Sequence, residues 1–429
     1  MVCRHIPQPV TQSREMGFGP VHHGVISMFR KPVTWALIAA LLAVNVIYWQ
    51  DPWLWRNYVR FFSSGDPTGV EWLPPDEEIR GDGSYVLPTA PDDERTISAQ
   101  ALAAMHEYAG EFGSHALIVV HRGSIQDEWY APHWRRELMT QSQSMHKSLL
   151  GLFIGVAIED GKIPSVDAPV GTWITEWAGD RRGDITLHNL MQMSSGLGQY
   201  GFTLNPFDDG MKWLNSGHSF AAILRTPLAD WEQGERWDYN NINSELLGMV
   251  LQRVYGMRYS QLLRDRLWLP MGGERALVHT DSPGGRAYTS CCLSAPAMDW
   301  VRVGMLLLGR GEVNGRRIVS ADWIERMITP SPVAGYYGYQ VWLGYDDPAI
   351  PRDDSAGSSG AIASEPFLAR DTFMTWGRGQ QHVFVVPSQE LVIVRLGPAL
   401  GRQPIKPGFD VTYFVNTVIR DLNRHDTVR

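Results

Sequence analysis

One run sets itself apart from the shorter apolar patterns of the chain: residues 33–49 (VTWALIAALLAVNVIYW) carry no charge. As a helix this run spans roughly 26 Å, just short of a hydrocarbon core of about 30 Å. Phe29 before it and Trp49, Trp53, Trp55 and Tyr58 at its end supply the aromatic side chains that mark a membrane interface. Arg30 and Lys31 precede the run, and the first acid after it is Asp51. That asymmetry predicts a single-pass anchor in the inner (cytoplasmic) membrane, with the N-terminus in the cytoplasm and the rest outside, in the periplasm of a two-membrane cell. Arg56 and Arg60 weaken the bias. A cleaved signal peptide and a buried core helix are the alternatives; against cleavage, the run ends Ile47-Tyr48-Trp49-Gln50 with no small-x-small site. Met28-Phe29-Arg30-Lys31 forms a compact basic lead, which makes Met28 an alternative start to Met1.

The organisation expected is 1–50 cytoplasmic N-terminus and anchor, 51–95 linker, and 96–429 catalytic domain. Residues 51–95 are rich in Pro, Gly, Asp and Glu and read as a linker with little regular structure. From 97 to 112 apolar residues recur at helical spacing, with Ser98 as candidate N-cap. Strand patterns at 115–120 and 125–130 flank the turn Arg122-Gly123-Ser124, and a second hairpin joins 382–386 to 390–396 through Pro387-Ser388-Gln389. Helical periodicity marks 145–160, 187–193, 243–255, 259–267, 297–308 and 321–327, and a final amphipathic helix runs from about 410 to 422. Hairpins at both ends with helices between predict an α+β fold. One antiparallel sheet is built from both ends of the catalytic region and flanked by helices, with a mainly helical lobe inserted.

Composition narrows the function. Of 429 residues 44% are apolar and 20% charged, enough for a sizeable core. The net charge of −8 argues against nucleic acid as a partner. Cys3, Cys291 and Cys292 are the only cysteines, too few for a disulfide scaffold, and no Cys/His spacing reads as a zinc site.

Two constellations carry chemistry. In Ser144-Met145-His146-Lys147, at the start of a helix, residues three apart share a face, so the Lys147 ammonium reaches the Ser144 hydroxyl. The helix N-terminus adds oriented N–H groups, and a lysine in apolar surroundings loses proton affinity and can serve as a base. By itself S-x-x-K is a common chance pattern, whose plain reading is a capping serine beside a solvated lysine. The second constellation, Gln233-Gly234-Glu235-Arg236-Trp237-Asp238-Tyr239-Asn240-Asn241, sets a phenol and an amide in a turn before a helix that continues to Leu246-Leu247-Gly248. Its plain reading is a loop tyrosine packed on that helix.

Together, S-x-x-K and the Tyr239-x-Asn241 segment about 95 residues later resemble the serine β-lactamase and penicillin-binding family. The likeness is to class C enzymes, D-alanyl-D-alanine carboxypeptidases and esterases of that fold. Ile185-Thr186-Leu187, leading to Ser195-Gly196-Leu197, and Leu269-Pro270-Met271-Gly272 resemble further segments of the family, so that the resemblance covers about residues 97–425. It implies that Ser144 is the nucleophile, that Lys147 and Tyr239 move its proton, and that Asn241 orients Lys147 or the substrate's amide. The family's third motif, K-T-G or H-T-G, is missing; Lys406-Pro407-Gly408 falls too near the C-terminus. In its place Thr375-Trp376-Gly377-Arg378-Gly379-Gln380-Gln381 is similar to the branch containing 6-aminohexanoate-oligomer hydrolases. There, Gly377 implies close approach of strand and substrate, and the Arg378 N–H implies a second oxyanion donor beside that of Ser144. Without the third-motif cation, β-lactam hydrolysis is expected to be weak.

The activity expected is hydrolysis of a small-molecule or peptide-like ester or amide through an acyl-enzyme, with no metal and no cofactor. The rival reading is a penicillin-recognising sensor or a carboxypeptidase-like cell-wall protein without β-lactam turnover. H-E-x-x-H and G-x-S-x-G are missing, and the stretch from Gly155 to Lys162 has one residue too many for a phosphate-binding loop. His146, His188 and His218 read as isolated surface or core histidines, and Tyr200, following the Ser-Gly-Leu segment, is a candidate substrate contact.

Overall fold

The computed structural model describes residues 24–63, 76–201, 203–344, 361–398 and 406–427. The chain divides into two compact units, residues 1–50 and residues 51–429. The first holds helix α1 (Gly24–Gln50). Its stretch Val33–Gln50 has a mean hydropathy of 1.6 and is wholly exposed. It is therefore not a core helix; by length and composition it suits a membrane anchor or a signal sequence alike.

In the second unit, strands β2 (Ala116–His121) and β3 (Ser124–Tyr130) pair with strands from the far end of the chain. These are β9 (Trp342–Leu343), β10 (Phe373–Gly377), β11 (Gln381–Val386) and β12 (Leu391–Leu396). The order is β3-β2-β12-β11-β10-β9, antiparallel at every pairing. The two predicted hairpins are thus neighbours in one sheet. Every residue of β2, β11 and β12 is buried, since helices cover both faces. On one side stand α3 (Ala99–Glu111) and α12 (Tyr413–Thr427). Ser98 caps α3 as expected, accepting from the Ala101 N–H at 3.2 Å, and it donates to Asp421 of α12. The other side takes α10 (Ala297–Leu308), where Gly304 lies against Val383 and Val392.

The inserted lobe contains α4 (His146–Glu159), α5 (Leu187–Met191), α6 (Asp209–Asn215), α7 (Ser219–Leu224), α8 (Asn241–Tyr255), α9 (Tyr259–Leu263) and, after α10, α11 (Ala321–Met327). Two expectations are corrected. The middle also holds a second antiparallel sheet, ordered β1-β5-β6-β4, from β1 (Asp76–Arg80), β4 (Met139–Gln141), β5 (Arg275–His279) and β6 (Leu293–Pro296). The small hairpin β7 (Glu312–Val313) with β8 (Arg316–Arg317) is a further addition. Strands of three to five residues are too short to impose a readable alternation. Residues 51–95 are likewise more ordered than their composition suggests, since α2 (Pro52–Ser63) and β1 both lie there. Asp51 caps α2 by accepting from the Leu54 N–H at 3.0 Å and holds the Gly217 N–H at 3.0 Å, while Leu54 buries against Met211. Long-range contacts, not local propensity, order this stretch.

Candidate active site

Ser144 lies where the second sheet meets the lobe. It sits in a 3₁₀ turn, Gln143–Met145, that leads into α4, one residue ahead of the α-helical N-cap. The turn is held from three sides. β4 delivers the chain to it, the Ser142 N–H donates to the Leu293 carbonyl at 2.8 Å, and the Gln381 amide donates to the Gln141 carbonyl at 2.7 Å. Gln143 takes a left-handed φ of 52°, a strained conformation for a non-glycine residue next to the candidate nucleophile.

Lys147, one helical turn on, is 2% exposed. Its ammonium donates to Ser144 Oγ at 2.9 Å and to the Ser290 carbonyl at 2.5 Å. Burial lowers its pKa to about 7, against a smaller upward pull from Glu245. Near neutral pH it therefore exists partly as the amine that can accept a proton. The Tyr239 ring lies 5.1 Å from this nitrogen, and its phenol is hydrogen-bonded with Ser144. Burial pushes the Tyr239 pKa up, with the Ser144 bond opposing, so the phenol keeps its proton through the neutral range. Gln199 clamps the tyrosine's loop, donating to Asp238 at 2.6 Å and to the Tyr239 carbonyl at 3.2 Å. Asn240 caps α8, accepting from the Ile242 N–H and donating to the carbonyls of Leu197 and Gly198. Ser144 and Lys147, one helical turn apart, and Tyr239, more than ninety residues on, thus form one hydrogen-bonded group.

The expected third strand stands beside them. β10 ends at Gly377, where an added Cβ would lie 2.2 Å from the Ser142 carbonyl. The close approach that requires glycine is therefore to the turn carrying Ser144. It brings the Arg378 backbone to the same edge as Ser144. Arg395 pins the turn after Arg378 from behind: its buried guanidinium donates to the Gly379 carbonyl and, at 2.8 Å, to the Gln380 carbonyl. The Arg378 side chain is half-buried.

Other predicted residues sit differently. Asn241 is the first residue of α8 and half-buried; among the described contacts it makes no bond to Lys147, which is oriented by the Ser290 carbonyl. The Tyr200 hydroxyl donates to the Ala222 carbonyl at 2.6 Å and accepts from Thr226 at 3.2 Å, with no described contact to the Ser–Lys–Tyr group. His146 is a core histidine bonded to the Cys291 carbonyl and to the Tyr259 phenol, and burial lowers its pKa to about 4. His188 bonds Tyr339, and His218 is exposed. Cys291 and Cys292 form a disulfide between sequence neighbours.

Sequence reasoning missed Ser290, Gln199, Arg395 and Glu245. Only Glu245 left a readable trace, a charge set among Ile242, Leu246 and Met249 on the apolar side of α8.

Residues 99–401 match the family model described as Beta-lactamase. Over 294 residues the chain is 26% identical to a 6-aminohexanoate-dimer hydrolase of Paenarthrobacter ureafaciens, a match covering 62% of this chain and 74% of that protein. A Bacillus anthracis protein assigned as a 6-aminohexanoate-dimer hydrolase has the same fold, with a TM-score of 0.66 at 19% identity over 87% of this chain and 96% of that one. A family VIII carboxylesterase superposes with a TM-score of 0.57 at 16% identity, over 78% of this chain and 98% of its own.

Proposed function

The chain is a hydrolase that belongs to the beta-lactamase family, and from that premise we propose that it is a serine esterase or amidase working through an acyl-enzyme. The observation that carries the reading is the Lys147 nitrogen, buried and 2.9 Å from Ser144 Oγ, with the Tyr239 phenol on the same hydroxyl. Ser144 Oγ attacks the substrate carbonyl carbon while its proton passes to the Lys147–Tyr239 pair. The backbone N–H groups of Ser144 and Arg378 receive the oxyanion. The pair returns the proton to the departing alcohol oxygen or amine nitrogen, leaving an ester on Ser144. Water then attacks that ester, the same pair takes its proton, and Ser144 leaves with the proton restored as the carboxylic acid departs. Asn241 is proposed to meet the substrate's amide, and the edge at Gly377 to border the acyl group.

Substrate class follows from what the third strand offers. Gly377-Arg378-Gly379 replaces the cation and hydroxyl that grip a β-lactam carboxylate in relatives with K-T-G. Turnover of short acyl esters and linear amides is expected, with cephalosporin hydrolysis weak. The decisive experiment is intact-mass spectrometry after fluorophosphonate treatment. A single adduct mapping to Ser144 and missing from Ser144→Ala is expected, together with loss of p-nitrophenyl ester turnover. An adduct on another serine would refute the assignment, and nitrocefin turnover equal to ester turnover would refute the substrate class.

A further inference from the structure

Glu245 is 0% exposed in the second turn of α8, and no step of the acyl-enzyme route uses it. A carboxylate taken out of water costs several kcal/mol unless it is paired and hydrogen-bonded. Here it is both. It forms an ion pair with Arg286, whose side chain is 9% exposed, and accepts from the Thr289 N–H at 3.2 Å. From Ser290 it accepts two bonds, the N–H at 3.0 Å and Oγ at 2.6 Å. The remaining polar group of Ser290 is its carbonyl, which accepts from the Lys147 nitrogen at 2.5 Å. All three polar groups of Ser290 therefore lie on one line from Glu245 to the base.

We propose that Glu245, through Ser290, is the positioning residue of the catalytic lysine: it fixes the carbonyl that aims the Lys147 nitrogen at Ser144, and its charge sets how readily that nitrogen loses its proton. The inference rests on the reading of Lys147 as the base. Burial alone would push the Glu245 carboxyl up, yet Arg286 and the two Ser290 donors outweigh burial and keep it ionised. The groups around Lys147 leave Glu245 as the charge it feels. His146, beside it on α4, is kept neutral by burial, and the phenols of Tyr239 and Tyr259 are pushed up by burial and stay protonated. The Arg286 charge is countered by Glu245 itself.

The test is the rate of fluorophosphonate labelling of the full chain as a function of pH. Labelling needs the Lys147 amine, so the wild-type rate rises with pH through the lysine's midpoint. Removing the negative charge disfavours the ammonium. Glu245→Gln should therefore move the midpoint to lower pH, by about 0.5 unit or more. Misalignment should also lower the plateau, by about tenfold or more. Ser290→Ala keeps both the charge and the carbonyl, so it should lower the plateau while leaving the midpoint in place. If Glu245→Gln does not fold, the double variant Glu245→Gln/Arg286→Met, which removes both charges of the ion pair, tests the positioning alone: its plateau should again fall by about tenfold or more. An unmoved or raised midpoint in folded Glu245→Gln, or an undiminished plateau in the double variant, would reduce Glu245 to a structural ion pair and overturn the proposal. A wild-type midpoint that survives in Lys147→Ala would instead overturn the base assignment on which it stands.

Discussion

A lysine carries the base role at neutral pH only if its proton is weakly held, and at residue scale burial is what loosens it. Lys147 is brought to about 7 chiefly by desolvation. The sign of the pH dependence follows: below that value the ammonium dominates and cannot accept the serine proton, and above it the amine can. The acylation rate is expected to rise from acid to neutral pH with a midpoint near 7 and to show no fall from Tyr239, whose phenol stays protonated well above neutrality. Pre-steady-state acylation by a p-nitrophenyl ester across pH 5–9 checks both parts; a rate still climbing about tenfold per pH unit at pH 9, as the ordinary lysine value of about 10.4 would give, would contradict them. Lys147→Ala and Tyr239→Phe should each cost about 10²–10⁴ in rate. Their combined loss should fall short of the product, because the two side chains share one hydroxyl. A double variant whose loss equals the product would mean independent roles.

The element that would shape the proposed oxyanion site is β10, and its constraint is steric. At Gly377 a side chain would collide with the Ser142 carbonyl at 2.2 Å, and backbone cannot yield as a flexible side chain does. Gly377→Ala should push β10 from the 3₁₀ turn and misplace the Arg378 N–H, lowering kcat by about 10²–10³, the cost of one lost oxyanion donor. Ester kinetics give the kcat. Near-wild-type kcat would show that the strand shifts without consequence. Most of the helices, α2, α6 and α7 excepted, were legible in the sequence for a contrasting reason. A helix announces itself through neighbours three and four residues apart, so α10 and α11 match their expected limits, and α8 begins only two residues before its own. The hairpin of β11 and β12 was equally readable from its alternation and its turn. The strands β1, β4, β5 and β6 are short, and two of their three pairings join segments far apart along the chain, so local pattern could not announce them.

At the scale of the whole molecule, the stretch after the apolar helix belongs to the catalytic unit. Asp51, Leu54 and Asn57 tie α2 to the segment around α6, and Glu77 on β1 accepts from Ser260 at 2.5 Å. A chain starting at Asp51 should therefore keep ester activity and melting temperature. One starting at Thr96 should melt lower by about 5–10 °C, because it loses the burial of Leu54, Ile79 and Leu87. Differential scanning fluorimetry of the two decides it; equal melting would return 51–95 to the status of a linker. We expect the full chain to stay in membranes after a high-salt wash, with a C-terminal reporter active only outside the cytoplasm; a soluble form starting near residue 50 would indicate cleavage. What the sequence by itself determined is whatever is written within a helical turn or an alternating run: the apolar segment, the S-x-x-K pair, the tyrosine before its helix and the two hairpins. The tertiary structure alone decided what aims them. Ser290 meets Lys147 and Glu245, Arg395 meets the Gly379–Gln380 turn, and Gly377 meets Ser142. Ser290 and Gly377 are each well over a hundred residues from the catalytic segment they reach, and several of these contacts use main-chain carbonyls. A carbonyl is the same in every residue, so the one-dimensional pattern bears no mark of which carbonyl the fold will bring to the base.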